Sequence, residues 1–313
     1  MRRVARTIVG VAVAALVMAA VWFFLVRTEG PSPIAGLAPA GSRAFAADGA
    51  LPPGPSRAVY AADGGRLAVL DRGQLAVASQ GQLVGITPAT GNVVDAAWFR
   101  SSDTLLVAEG PIPTGGLSVV QIDGKVRGTI ALQPSIGFGH GYGMAIAPGN
   151  KRAIATAIER PALSPADERH LVEIDLTTGA VRDVTPSGGD NEEGPHFVDE
   201  STVFATSGQD AVLIDIATGQ QRVVALQARA VGVIGGEWLV YAEGDGKVVR
   251  ARSRGALGSP PVDLATLPPG SSAVDVNPLG GRLVAAVTEV QPDGASVPRL
   301  REVTIRPVPA TGR

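Results

Sequence analysis

The chain has 313 residues, with 27 basic side chains against 29 acidic ones and no cysteine. That composition excludes a disulfide scaffold, a thiolate metal site and a cysteine nucleophile, and the even charge balance argues against a protein that binds by neutralising nucleic-acid phosphates. Hydrophobic residues make up 45%, too many for a disordered chain, and the length suffices for a large domain with a full core.

Arg2, Arg3 and Arg6 precede an almost wholly apolar run from Thr7 to Val26. About 20 such residues span a bilayer as a helix. Trp22, Phe23 and Phe24 stand near one end, where aromatic rings settle at the interface, and the arginines hold the other end in the cytoplasm. Residues 1–26 are therefore expected to be a cytoplasmic tip and one N-terminal transmembrane helix, a signal anchor. The protein is then single-pass in the cell membrane, with the remainder extracytoplasmic. The competing reading is a cleaved signal peptide, because Ala44-Phe45-Ala46 before Ala47 has a small-x-small form. That site lies far from Val26, and the apolar run exceeds the roughly 7–15 residues of a signal peptide. Residues 27–56 carry Gly30-Pro31-Ser32-Pro33 and Leu51-Pro52-Pro53-Gly54-Pro55. Proline and glycine at that density oppose helix and sheet and make a tether. The first 29 residues hold four arginines and one glutamate, so the exposed part is distinctly acidic.

From residue 57 to 313 short apolar runs alternate with Gly, Pro, Asp and Ser, the pattern of short strands and tight turns. One element repeats as a hairpin. Leu171-Val172-Glu173-Ile174-Asp175-Leu176-Thr177-Thr178-Gly179 is its best copy, and Val212-Leu213-Ile214-Asp215-Ile216-Ala217-Thr218-Gly219 follows 40 positions later. Asp bonds the turn backbone and Gly supplies positive φ. A second element is a turn followed by an apolar strand, as in Gly149-Asn150-Lys151-Arg152-Ala153-Ile154 and Gly280-Gly281-Arg282-Leu283-Val284-Ala285. A period near 40 with four short strands per unit marks a β-propeller blade.

Ala273-Val274-Asp275-Val276-Asn277-Pro278-Leu279-Gly280-Gly281-Arg282 and Met144-Ala145-Ile146-Ala147-Pro148-Gly149-Asn150-Lys151-Arg152 resemble the opening of TolB-like, WD40-like propeller repeats. The Asp175 and Asp215 hairpins resemble the turn between the third and fourth strands of the same blades. The resemblance covers about residues 57–308 and implies an all-β chain: a propeller of six blades, with seven as the alternative count. Blades are expected at about 57–94, 95–132, 133–185, 186–226, 227–267 and 268–308. Residues 159–169 form an inserted loop within the third. The hairpin Ala58–Leu70 reads as surplus to the first blade, and part of it is expected to complete the last.

Candidate site residues sit in two glycine-rich loops that pass from one blade to the next, where propeller ligands usually bind. Phe138, His140 and Tyr142 are the side chains of Gly137-Phe138-Gly139-His140-Gly141-Tyr142-Gly143. Asp190, Glu192, Glu193 and His196 lie in the second loop. His140, His196 and Glu193 suit a divalent transition metal, and Asp190, Asn191 and Glu193 suit calcium. The plainer reading is a solvated acidic turn with rim histidines, because the spacing matches no dedicated metal motif. Arg250, Arg252 and Arg254 share one strand face and suit an anionic partner or a solvated surface. No Gly-x-Ser-x-Gly elbow occurs.

The expected function is a non-catalytic module of the bacterial cell envelope, without a cofactor. It binds an envelope protein or a small ligand, with no role for nucleic acid. TolB-like propellers act in envelope assemblies, and the resemblance implies that kind of role. The alternative is a metal-dependent propeller enzyme, of lyase or lactonase type, using His140, His196 and the Asp190–Glu193 loop.

Overall fold

The computed structural model describes residues 43–44 and 57–309, apart from 72, 80–81, 87–92, 110–113, 139–140, 159–168, 186–190, 245 and 291–295. The apolar segment 7–26, most of the tether, His140 and Asp190 therefore lie outside the described residues. Among the described residues no helix is long and apolar enough to cross a membrane.

The described strands fall into six antiparallel groups. Group I holds Arg57–Tyr60, Arg66–Asp71, Gln74–Ser79 and Gln82–Ile86, and group II holds Val93–Trp98, Thr104–Glu109, Thr114–Gln121 and Val126–Phe138. Group III holds Met144–Ile146, Arg152–Ile158, Arg169–Asp175 and Val181–Asp183, and group IV holds Glu192–Phe197, Thr202–Ser207, Asp210–Asp215 and Gln221–Ala225. Group V holds Ala228–Ile234, Trp238–Glu243, Val248–Ser253 and Val262–Thr266. Group VI holds Ser272–Val276, Arg282–Val290 and Ser296–Thr304, and its fourth strand is Arg43–Ala44.

Each group is a meander, and its first strand is innermost. The innermost strands touch one another in a closed cycle, I to VI and back to I. Six apolar clusters follow the same cycle. Leu75 and Val77 meet Trp98 and Leu105 between groups I and II, while Leu106 and Leu117 meet Met144 and Val172 between II and III. The cluster holding Leu67, Val69, Val284 and Leu300 joins VI back to I. Sheets covered on both faces explain the continuous apolar runs. The second strands Thr104–Glu109, Thr202–Ser207 and Trp238–Glu243 each bury their four central residues. Outermost strands such as Val181–Asp183 are mostly exposed.

Turn chemistry follows the repeats. Asp175 Oδ1 accepts the Thr177 and Thr178 N–H groups, each at 2.8 Å, and Asp215 Oδ1 does the same for Ala217 and Thr218. Gly179 is the glycine that position requires. Its φ is +74°, and an added Cβ would lie 1.8 Å from the Ala131 oxygen.

Two features depart from the expectation. Both strands of the Ala58–Leu70 hairpin are the inner strands of group I. The last group is completed instead by the tether, with Arg43 opposite Glu302 and Ala44 opposite Arg301. Unpaired edges attract other chains, and the tether covers this one. The fourth strand of group II also runs past residue 132 to Phe138 and pairs with group III through Phe138–Ala157 and Gly137–Ile158. Groups II and III thus share one eight-stranded sheet.

Candidate functional site

The innermost strands of groups II, IV, V and VI each carry a bulge. A bulge adds a residue to one strand and re-aims the side chain that follows it. That position holds Asp95 in group II, His196 in group IV, Gly232 in group V and Asp275 in group VI.

Asp95 and Asp275 use their carboxylates alike. Asp95 accepts the Ala96 N–H at 2.8 Å and, from group III, the Gly143 N–H at 2.8 Å. Asp275 accepts the Val276 N–H at 2.9 Å and, from group I, the Tyr60 N–H at 2.7 Å. Each carboxylate thereby ties its own strand to the next. Their charges differ. Arg57 forms an ion pair with Asp95 at 2.6 Å and donates to the Met144 carbonyl at 3.2 Å. Asp275 forms no ion pair among the described residues and is 5% exposed. Burial pushes its carboxyl up to about 7, against the opposing pull of the Tyr60 N–H, Arg57 and the Val276 N–H. Burial, and secondarily the Arg57 charge, pushes the His196 imidazole down to about 3, so it is neutral at physiological pH.

Arg57, His196 and Asp275 line a cavity of about 410 Å³ on the ring axis, to which all six groups contribute. Apolar surface comes from Trp98, Met144, Ile146, Phe197, Val198 and Val276, and polar groups come from Arg57, Arg100, Asn150, His196 and Asp275. The mouth lies among the turns after the innermost strands, at Ala62, Arg100, Pro148, Gly235, Gly236 and Leu279. Leu279 is 62% exposed there. Trp98 is held by its Nε1–H, which donates to the Val59 carbonyl at 2.8 Å.

Of the candidate site residues that are among the described residues, only His196 lines this cavity. Phe138 is a core residue, 1% exposed, packed between groups II and III. Tyr142 and Glu193 lie together on the opposite, crossover side. Arg169 stacks over the Tyr142 ring at 4.8 Å and pairs with Glu193 at 2.7 Å. Arg229 holds the other Glu193 oxygen at 2.9 Å. Two guanidiniums thus occupy this carboxylate. Glu192 is fully buried, with Oε1 3.4 Å from both Ser207 Oγ and Gln221 Nε2, and burial raises its carboxyl. Among the described residues no group of three or more His, Asp or Glu side chains is placed to hold a metal. The arginine strand is not a free basic patch. Arg250 pairs with Glu243 and Asp263, Arg252 donates to the Leu257 carbonyl and Arg254 pairs with Asp199.

The sequence reading passed over Arg57, Tyr60, Asp95 and Asp275. The available signal was a lone aspartate at the same place in two apolar inner strands, Val94-Asp95-Ala96 and Val274-Asp275-Val276.

No protein-family model and no curated protein matches the chain. Solved structures do match. TolB from Acinetobacter baumannii aligns at 14% identity and TM-score 0.51, over 80% of this chain and 64% of that one. Regucalcin, a calcium-binding protein from Agrobacterium tumefaciens, aligns at 14% identity and TM-score 0.55, over 86% of this chain and 96% of that one. The fold is a β-propeller. A luciferin-regenerating enzyme is similar at 12% identity and TM-score 0.53, over 80% of this chain and 92% of that one. The propeller likeness to TolB agrees with the repeat resemblance. At these identities the likeness shows the fold alone.

Proposed function

We propose that this protein is a six-bladed, membrane-anchored propeller of the cell envelope that binds a guest in its axial cavity and catalyses no reaction. Residues 7–26 anchor it, and the blades stand on the extracytoplasmic side. The observation that carries the reading is the cavity. It has the size and the mixed lining of a binding site, largely apolar with a few converging polar groups. Of its charged groups, Arg57 is already paired with Asp95. No described side chain pairs a nucleophile with a base there.

A photo-cross-linker at Leu279, read out in native membranes, tests this. Adducts are expected from Leu279 and absent from Arg229, an exposed residue on the crossover side. Equal yields from both positions would remove the cavity as the binding site.

The second reading is a metal-dependent lyase or lactonase centred on His140, His196 and the Asp190–Glu193 loop. Enzyme and calcium-binding propellers among the similar structures favour it. The two arginines on Glu193 weigh against it. Stoichiometric metal in the purified protein, lost in His196→Ala, is the result that would prefer it.

A further inference from the structure

The charges at the depth of the cavity narrow the class of guest. Arg57, from the first blade, is cancelled by Asp95 of the second. His196, from the fourth, is neutral. The fifth blade presents Gly232 beside Asp275. Behind Asp275, Arg282 and Glu302 cancel each other at 3.4 Å, and the Tyr60 hydroxyl donates to Glu302 at 2.7 Å. Asp275 thus faces the cavity with no ion-pair partner among the described residues, the Arg57 charge opposing its burial only in part. Each of its oxygens accepts one backbone N–H, which leaves a lone pair on each for a guest. A buried carboxylate in this state gains most from a cation.

We infer that the guest carries a cationic nitrogen, an ammonium or guanidinium, seated against the Asp275 carboxylate. The inference rests on the axial cavity being the binding site. Trp98, Met144 and Val276 accept the carbon stem of such a guest, and a cation also gains from the indole face. Arg100 stands at the exposed mouth, where water and salt screen its repulsion. In the empty cavity burial holds the Asp275 proton on up to about pH 7. Seating the cation releases that proton to solvent. Affinity therefore rises with pH up to about 7 and levels off above it, while the ammonium remains protonated.

The cation has two sources, a free small amine or a basic side chain of a partner protein. Calorimetry on the full-length protein in detergent separates them. The probes are n-butylamine, n-butanol and butyrate, and a lysine-bearing peptide with its norleucine counterpart. Butylamine or the lysine peptide is expected to bind about tenfold tighter at pH 6 than at pH 5, and Asp275→Asn is expected to abolish that binding. Butylamine alone identifies a free amine, and the lysine peptide alone identifies a partner side chain. Proton release, read from the buffer dependence of the heat at pH 6, tests the same step in the unmodified protein. The inference is overturned if neither cation binds, if butyrate or butanol binds as tightly, if affinity ignores pH, or if Asp275→Asn binds unchanged. Leu279 adducts together with failure of both cations would leave the cavity reading standing and remove the cationic guest.

Discussion

Asp95 and Asp275 occupy the same place in strand groups II and VI. Both follow a bulge, both are almost fully buried, and both clamp the next blade through a backbone N–H. One residue separates their chemistry. Arg57 reaches Asp95 and makes it half of an ion pair, whereas Asp275 is left to burial and rises to about 7. A repeated backbone role therefore fixes where a carboxylate stands, and the neighbouring side chain decides whether it is structural or reactive.

Four measurements test that contrast. The largest effect is expected from Asp95→Ala, which leaves Arg57 buried without its partner and the Gly143 N–H without an acceptor. A loss of about 3–5 kcal/mol in urea unfolding is expected. A loss below 1 kcal/mol would mean that the pair is incidental. Next, Arg57→Met should turn Asp95 into a second Asp275. The expected cost is roughly 1–3 kcal/mol at pH 7, shrinking as the pH falls and Asp95 takes up a proton. A pH-independent cost would contradict the contrast.

Asp275→Asn is a smaller change, because the amide mimics the protonated acid and loses one backbone acceptor. About 1 kcal/mol is expected at pH 5. Its clearer signature is in the pH profile. A carboxyl whose pKa is raised on folding contributes stability that is full below its unfolded value near 4 and is lost as pH rises through about 7. His196 works in the opposite direction. Its folded pKa, about 3, is depressed, so its contribution is full above about 6.5 and is lost as pH falls. Between about pH 4 and 6.5 the two slopes oppose each other. Asp275→Asn should leave stability rising with pH across that window, and His196→Ala should leave it falling. His196→Ala is the smallest change at pH 7, under about 1 kcal/mol. Parallel profiles for the two variants would show that neither group titrates as described.

The architecture was legible because it is local. The Asp175 and Asp215 turns, the Asn150 turn at φ 58° and the buried second strands are all set by residues within a few positions of one another. The strands expected on either side of the 159–169 segment are Arg152–Ile158 and Arg169–Asp175, so that Arg169 belongs to a strand, and residues 159–168 lie outside the described residues. The cavity was hidden because its partners are distant in the chain. Arg57 and Asp95 are 38 positions apart, and Tyr60 and Asp275 are 215 apart. Glycine-rich crossovers drew attention to Phe138, but its ring fills the interface between groups II and III. There the long strand to Phe138 fuses two blades through main-chain pairing, an arrangement that a repeat of 40 residues gives no reason to expect.

The strand Arg43–Ala44 has a further consequence. It lies just before the Ala46-Ala47 step that resembles a processing site. Cutting there would remove the strand and bare the edge of Ser296–Thr304. The shortened propeller would then carry an open template for strand addition. A form beginning at Ala47 should elute as oligomers in gel filtration, whereas a form beginning at Gly36 stays monomeric. One two-residue strand thus decides whether the last sheet ends closed or open, so that a single cut and loss of solubility become one event.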